Sequence, residues 1–217
     1  MKKHALFSLL PLPFLFLPHA AQAQTSLEVG SLGYGIVHKM QIEEGVSLSL
    51  GASMFEGAFE DVSLGTASEM DVDMRWASVG VSLGYEIPKS PFTLSVGVRS
   101  KLDRIDLSGE ATGTFVFMGQ QLAFADFSDL TGHVEFDRVA PVVTVDYERT
   151  FDSGWSVGGK VGAMFQGAPR VHLEATGPLA ASPDFLAAVE SERLAIEREF
   201  DGLAIFPVVS LSVAYRF

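Results

Sequence analysis

An apolar residue at every second position, with a small or polar one between, recurs along this chain and limits what it can become. Val46, Leu48, Leu50, Ala52 and Met54 alternate with Ser47, Ser49, Gly51 and Ser53. Ala77, Val79, Val81, Leu83 and Tyr85 alternate with Trp76, Ser78, Gly80, Ser82, Gly84 and Glu86. The last stretch repeats the pattern, with Val209, Leu211, Val213, Tyr215 and Phe217 set against Ser210, Ser212, Ala214 and Arg216. Side chains of a strand point alternately to its two faces, so each stretch is a strand with one oily face and one small, polar face. A soluble sandwich or barrel, the competing reading, packs large side chains into its core. The second parity here is almost entirely Ser, Gly, Thr and Ala with scattered charges, so the oily face is expected to look outward into lipid. An open sheet edge cannot sit in lipid, and the strands must therefore close into a barrel around a polar interior.

The ends of the chain give its address. Lys2 and Lys3 precede an apolar run from Ala5 to Leu17 and the small-x-small exit Ala21-Gln22-Ala23. That order describes a signal peptide over residues 1–23, cut after Ala23, with residues 24–217 left as one outer-membrane barrel domain. Pro11, Pro13 and Pro18, together with the shortness of the run, argue against a membrane-anchor helix. The absence of Cys excludes disulfides and a lipoprotein anchor. The formal charge is −12, or −14 once Lys2 and Lys3 are removed, which argues against nucleic acid as a partner. Hydrophobic residues make up 47% of the chain yet form no later run of membrane-helix length, as expected when they are spread over strands.

In chain order, Leu27 to Val37 reads as the first strand, followed by a short link from His38 to Gly45 and the strand from Val46. Glu56 to Asp73 reads as an acidic loop before the Ala77 strand. A tight turn at Pro88-Lys89-Ser90-Pro91 then leads to Phe92, Leu94, Val96 and Val98. A long polar loop from Asp103 to Gly132 is expected to hold its own hairpin, with TFVF and LAFAD flanking Met118-Gly119-Gln120. Strands resume at Val139 to Tyr147 and Trp155 to Phe165. The remaining loop, Gly167 to Leu203, contains one helix capped by Ser182 and opened by Pro183, with Phe185, Val189, Ile196 and Phe200 as an apolar stripe. Tight turns alternate with long loops, so the turns are expected in the periplasm and the loops outside. Tyr34, Tyr85, Tyr147, Trp155, Tyr215 and Phe217 stand near strand ends, where an interfacial aromatic girdle belongs. The fold class is thus all-β: a transmembrane antiparallel up-and-down β-barrel with a helix in the last extracellular loop. Seven membrane segments are clear, and an even count with both termini in the periplasm calls for about eight. Arg170 to Thr176 and the loop hairpin are the candidates for the missing strand.

Glu86, Arg99, Lys101, Arg138, Asp146, Glu148 and Lys160 fall on the inward parity among small residues and are the candidate lumen-lining set. They describe either a narrow charged path for a small zwitterionic or cationic solute or charges that pair and close the lumen. Gly51, Ser82, Gly97 and Ser212 leave room for water between them. The helix is expected to gate or plug the mouth, or else to pack on the loop hairpin. A narrow, porin-like channel for small solutes is the expected function, and a non-conducting structural or adhesin-like barrel acting through its loops is the alternative; Phe115, Phe117, Phe124 and Phe127 in the hairpin region read more readily as the inside of a loop substructure than as a binding patch. No enzyme is expected: His38, His133 and His172 lie beside no recognisable nucleophile and acid, and no phosphate-binding Gly loop exists. No cofactor is implied, and no His or Cys pair at short spacing predicts a metal site.

Two resemblances add to this reading. The end Val213, Tyr215, Phe217 is similar to the C-terminal strand of bacterial outer-membrane proteins that the barrel-assembly machinery reads. The runs LEVGSLGYG, VAPVVTVDYE, GWSVGGKVGAMFQGAPRVHLEATGPLA and FPVVSLSVAYRF resemble the CarO-type small outer-membrane barrels of Gammaproteobacteria. The likeness covers both ends and most of the second half of the mature chain, while the two longest loops before Gly132 match only in general character. It implies a monomeric barrel of about eight strands in contact with outer-membrane lipid and lipopolysaccharide. It also implies uptake of small solutes, with ornithine and other basic amino acids as the substrate class.

Overall fold

The computed structural model describes residues 23–64, 68–102, 104–110, 114–117, 120–123, 129–176 and 183–215. Leader residues 1–22, Ser182, Phe124, Phe127 and the terminal Phe217 lie outside the described residues, as do the side chains of Phe115, Phe117 and Phe185. Among the described residues thirteen strands follow in order: β1 (Ala23–Gly30), β2 (Gly33–Glu43), β3 (Val46–Leu64), β4 (Ser68–Glu86), β5 (Phe92–Lys101), β6 (Arg104–Glu110), β7 (Thr114–Phe117), β8 (Gln120–Ala123), β9 (Asp129–Glu135), β10 (Val139–Thr150), β11 (Trp155–Phe165), β12 (Arg170–Ala175) and β13 (Ile205–Tyr215). Helix α1 (Pro183–Phe200) and a turn of 3-10 helix (Asp201–Ala204) stand between β12 and β13.

Eight of these strands, β1 to β5 with β10, β11 and β13, pair antiparallel in a closed ring. The ring closes where Thr25 faces Tyr215 and Gly30 faces Ser210. The eighth strand is neither Arg170 to Thr176 nor the loop hairpin. The expected first strand is in fact two, folded back at Ser31-Leu32, with Leu27 opposite Ile36 and Val29 opposite Tyr34. Gly33 makes this turn possible by taking φ +85°, a conformation that a β-carbon disfavours. The expected His38 to Gly45 link is also strand, since β2 continues to Glu43 and only Glu44-Gly45 turns.

The oily parity faces out, as its pattern requires. Leu27 and Leu211 are each 68% exposed, and Val29, Val79, Val96, Val161 and Val209 are exposed beside them. Aromatic rings flank this band at the turn end, where Phe92 lies 5.5 Å from Tyr147 and Trp155 lies 5.1 Å from Tyr215. Tyr34 marks the opposite end of the band and Tyr85 joins the turn-end group.

Beyond the band the chain builds a cap. The expected acidic loop from Glu56 to Asp73 is instead a continuation of the β3–β4 ladder, with Glu56 opposite Arg75 and Leu64 opposite Ser68. Strands β6, β9 and β12 extend that ladder sideways, and β7 and β8 form the separate hairpin that the sequence predicts. Helix α1 opens at Pro183 and lays Val189, Ile196 and Phe200 on the sheet. There they join Met70, Val72, Ile105, Leu107, Val134 and Val171 in a dry core. The helix is therefore a packed member of the cap.

Candidate functional site: the barrel lumen

Inward-facing residues of the eight ring strands form tiers along the axis. At the turn end, Lys39 of β2 lies 3.5 Å from Glu148 and 3.9 Å from Glu86. These residues rim a vestibule of about 500 Å³ together with Gln24, Gln41 and Thr93. Deeper in, Lys160 of β11 holds both carboxylate oxygens of Glu28 at 3.0 and 3.3 Å. Beside this pair Asp146 accepts hydrogen bonds from Ser95 at 2.6 Å and Thr144 at 3.0 Å. Higher still, the Arg99 guanidinium donates to Ser53 at 2.8 Å and to Ser78 at 2.9 and 3.1 Å. Two cavities of about 70 and about 60 Å³ lie along these tiers. Lumen space exists because the neighbours of the charges are Ser, Gly and Thr, the small parity seen in the sequence.

Above Arg99 the lumen changes character. Ala140, Val142, Met164, Phe206 and Val208 form a buried apolar layer, joined by Leu32, Trp76 and Leu203. The Trp76 and Phe206 rings meet edge to face with centroids 4.6 Å apart. Over this layer Lys101, 3% exposed, donates to the Gln166 side chain at 2.7 Å and stands 5.2 Å from the Phe136 ring centroid. Gln166 in turn donates to the Leu203 carbonyl at 2.7 Å. The polar tiers thus lie toward the turn end, and an apolar layer lies across them toward the cap.

The sequence-derived lumen set divides accordingly. Arg99, Asp146, Glu148 and Lys160 line the two deeper cavities, and Glu86 joins Glu148 at the vestibule. Lys101 belongs to the seal above the apolar layer. Arg138 is exposed just before β10 and lines none of these cavities; its carbonyl accepts the Lys101 backbone N–H at 2.7 Å. Sequence reasoning missed Glu28 and Lys39, which complete the ion pairs, because it read their two strands as one strand and a link. Of the proposed assembly signal, Val213 and Tyr215 point outward and are exposed.

His38 lies near the turn end on the outward parity of β2, shared with Tyr34 and Ile36, with its Nδ1 3.0 Å from Thr25 Oγ1. His133 and His172, far apart in the chain, are direct partners across β9 and β12, and Glu135 lies beside them. Three side chains of types that can hold a metal ion are thus brought together by the fold from positions far apart in the sequence.

An eight-stranded closed ring with an exposed apolar belt, a small-residue lumen and a folded cap defines a transmembrane antiparallel β-barrel. Solved structures share this fold: the chain has the fold of CarO from Acinetobacter baumannii, with a TM-score of 0.58 at 23% identity over 89% of this chain and 97% of that one. CarO2 of the same organism superposes with a TM-score of 0.61 at 20% identity, over 90% of this chain and 98% of that one. No protein-family model matches the chain, and no curated protein sequence matches it.

Proposed function

We propose that the protein is a monomeric outer-membrane barrel whose lumen is shut toward the outside, and that its folded cap is the part that meets the exterior. On this reading the leader is removed after Ala23, the barrel-assembly machinery inserts the chain with its tight turns in the periplasm, and the apolar belt contacts outer-membrane lipid and lipopolysaccharide. The observation that carries the closed lumen is the apolar layer of Trp76, Met164, Phe206 and Val208 across its width. Below that layer, cavities of about 60 and about 70 Å³ hold a few waters each, at ~30 Å³ per water. An eight-stranded barrel is only just wide enough for its own side chains, so charges drawn into pairs leave no free bore.

Solute passage is the second reading, favoured by the vestibule of about 500 Å³ with Lys39, Glu86 and Glu148 at its rim. Both charge signs there suit a small zwitterion, and basic amino acids are the class that the CarO-type resemblance suggests. Passage then requires the Trp76–Phe206 contact to part.

Planar-bilayer conductance and liposome swelling decide between the two. The protein is expected to give no conductance steps and no swelling with glycine or ornithine. The Trp76→Ala/Phe206→Ala double variant is expected to give steps, because the layer is then breached while the ion pairs beneath it remain. Steps or swelling with the unaltered protein would remove the closed-lumen reading and establish passage.

A further inference from the structure

We propose that His133, Glu135 and His172 form a binding site for one divalent transition-metal ion of the zinc type on the outer face of the cap sheet. The placement follows from the backbone register. His133 and His172 are direct partners across the antiparallel β9–β12 pair, and such partners carry their side chains on one face, with β-carbons about 4.5–5.5 Å apart. Glu135 stands two residues beyond His133 and so shares that face. Val134, Phe136, Val171 and Leu173 take the opposite face and belong to the cap core, which leaves the two imidazoles and the carboxylate on the solvent side.

The side chains bear this out. The imidazole rings lie nearly parallel, 24° apart, with centroids 4.7 Å from each other. His133 Nε2 is 3.6 Å from Glu135 Oε1. One ligand atom from each of the three residues falls within 4.8 Å of the other two. A tetrahedral ion with bonds of about 2.0–2.1 Å needs ligand atoms about 3.3–3.4 Å apart, so side-chain torsions alone complete the site. The backbone is already placed.

The donor set names the class of ion. Two imidazoles and one carboxylate suit zinc, nickel, copper and their neighbours, whereas magnesium and calcium prefer oxygen alone. Three protein donors leave at least one position open to water or to an external ligand. Asp106 of β6 lies opposite His133 and is paired with Arg104, and Arg170, opposite Glu135 in the register, is paired with Asp137, so both neighbouring guanidinium groups carry a carboxylate partner of their own. Because β12 is the edge strand of the cap sheet, an ion at this place ties it to β9.

The test uses the untagged, chelator-treated full mature protein in detergent. Titration calorimetry with zinc chloride is expected to show one ion per chain. Affinity is expected to fall at least about tenfold in His133→Ala and in His172→Ala, since loss of even an outer-shell partner of a metal typically costs that much. His38→Ala, at the other end of the molecule, is expected to leave the affinity unchanged. A readout that needs no variant follows the imidazole ε1 protons, for which zinc should move the signals of His133 and His172 and not that of His38. Absence of saturable binding, affinity indifferent to both substitutions, or unmoved His133 and His172 signals would overturn the site.

Discussion

Lys160 and Glu28 show what a single residue does in this lumen. Their side chains are 23% and 20% exposed, so each has given up much of its water and depends on the other for compensation. Removing one partner of a largely enclosed pair leaves a charge without its counter-ion, whereas removing both does not. Lys160→Met is therefore expected to destabilise the barrel by about 1–3 kcal/mol, the range for an uncompensated polar group, and Glu28→Gln in the same chain to restore most of the loss. Urea unfolding in detergent micelles measures both; equal midpoints for Lys160→Met and the unaltered chain would mean that the pair contributes nothing. The inward parity of Lys160 is legible in the sequence because its strand alternates without a break. Glu28 was invisible because its inward direction depends on where β1 ends. The signal was nonetheless present: Leu27 and Val29 are odd-numbered outward residues while Tyr34 and Ile36 are even-numbered ones, a change of parity that the turn between them produces.

Among the elements, β4 explains why the barrel was legible and the cap was not. From Met70 its even positions are buried or half-buried, passing from Met70, Val72 and Met74 in the cap core, through Trp76 in the sealing layer, to Ser78 in the polar tier of Arg99. Its odd positions run from Asp71, Asp73 and Arg75 in solvent to Val79, Val81 and Leu83 on the lipid side. The dyad repeat never stops, but apolar and polar exchange faces near Arg75, and a reader following the oily parity sees the strand end there. Close strand approach makes a second demand. A β-carbon on Gly162 of β11 would overlap the Val143 carbonyl oxygen on β10, so the backbone itself would have to shift. Gly162→Ala is expected to cost about 1–3 kcal/mol by overpacking, read as an earlier loss of the folded band on heating in detergent gels. In α1, the hydrogen bond from Arg193 holds the exposed Glu190 carboxyl below its ordinary value, and the same guanidinium reaches Glu197 and the Val171 carbonyl of β12. A lowered carboxylate value means that this contribution is complete above the ordinary glutamate range and disappears as pH falls through the folded value. Protease cleavage within the helix is therefore expected to rise on acidification through that window, and Arg193→Ala is expected to flatten the Glu190-dependent part of the profile.

At the scale of the molecule, two dry cores sit on either side of a boundary. The cap core gathers residues from β3, β4, β6, β9, β12 and α1, while the sealing layer gathers them from β10, β11 and β13 with Trp76 of β4. Leu203 touches both. The ring of backbone hydrogen bonds in the barrel is complete without any cap strand, because β13 returns to β1. Cap and barrel are therefore expected to unfold separately. Ile196 has no exposed surface, and Ile196→Asp places a carboxylate in the cap core without a designed partner. It should open the cap to protease while the barrel keeps its heat-resistant mobility and its closed lumen. Met164→Ala, in contrast, removes a fully buried side chain from the sealing layer and is expected to cost the barrel about 2–5 kcal/mol, with the cap helix still protected. If Ile196→Asp lowered the melting of the barrel as far as Met164→Ala does, cap and barrel would be one cooperative unit. Closure of the lumen would then depend on the cap helix as much as on Trp76 and Phe206.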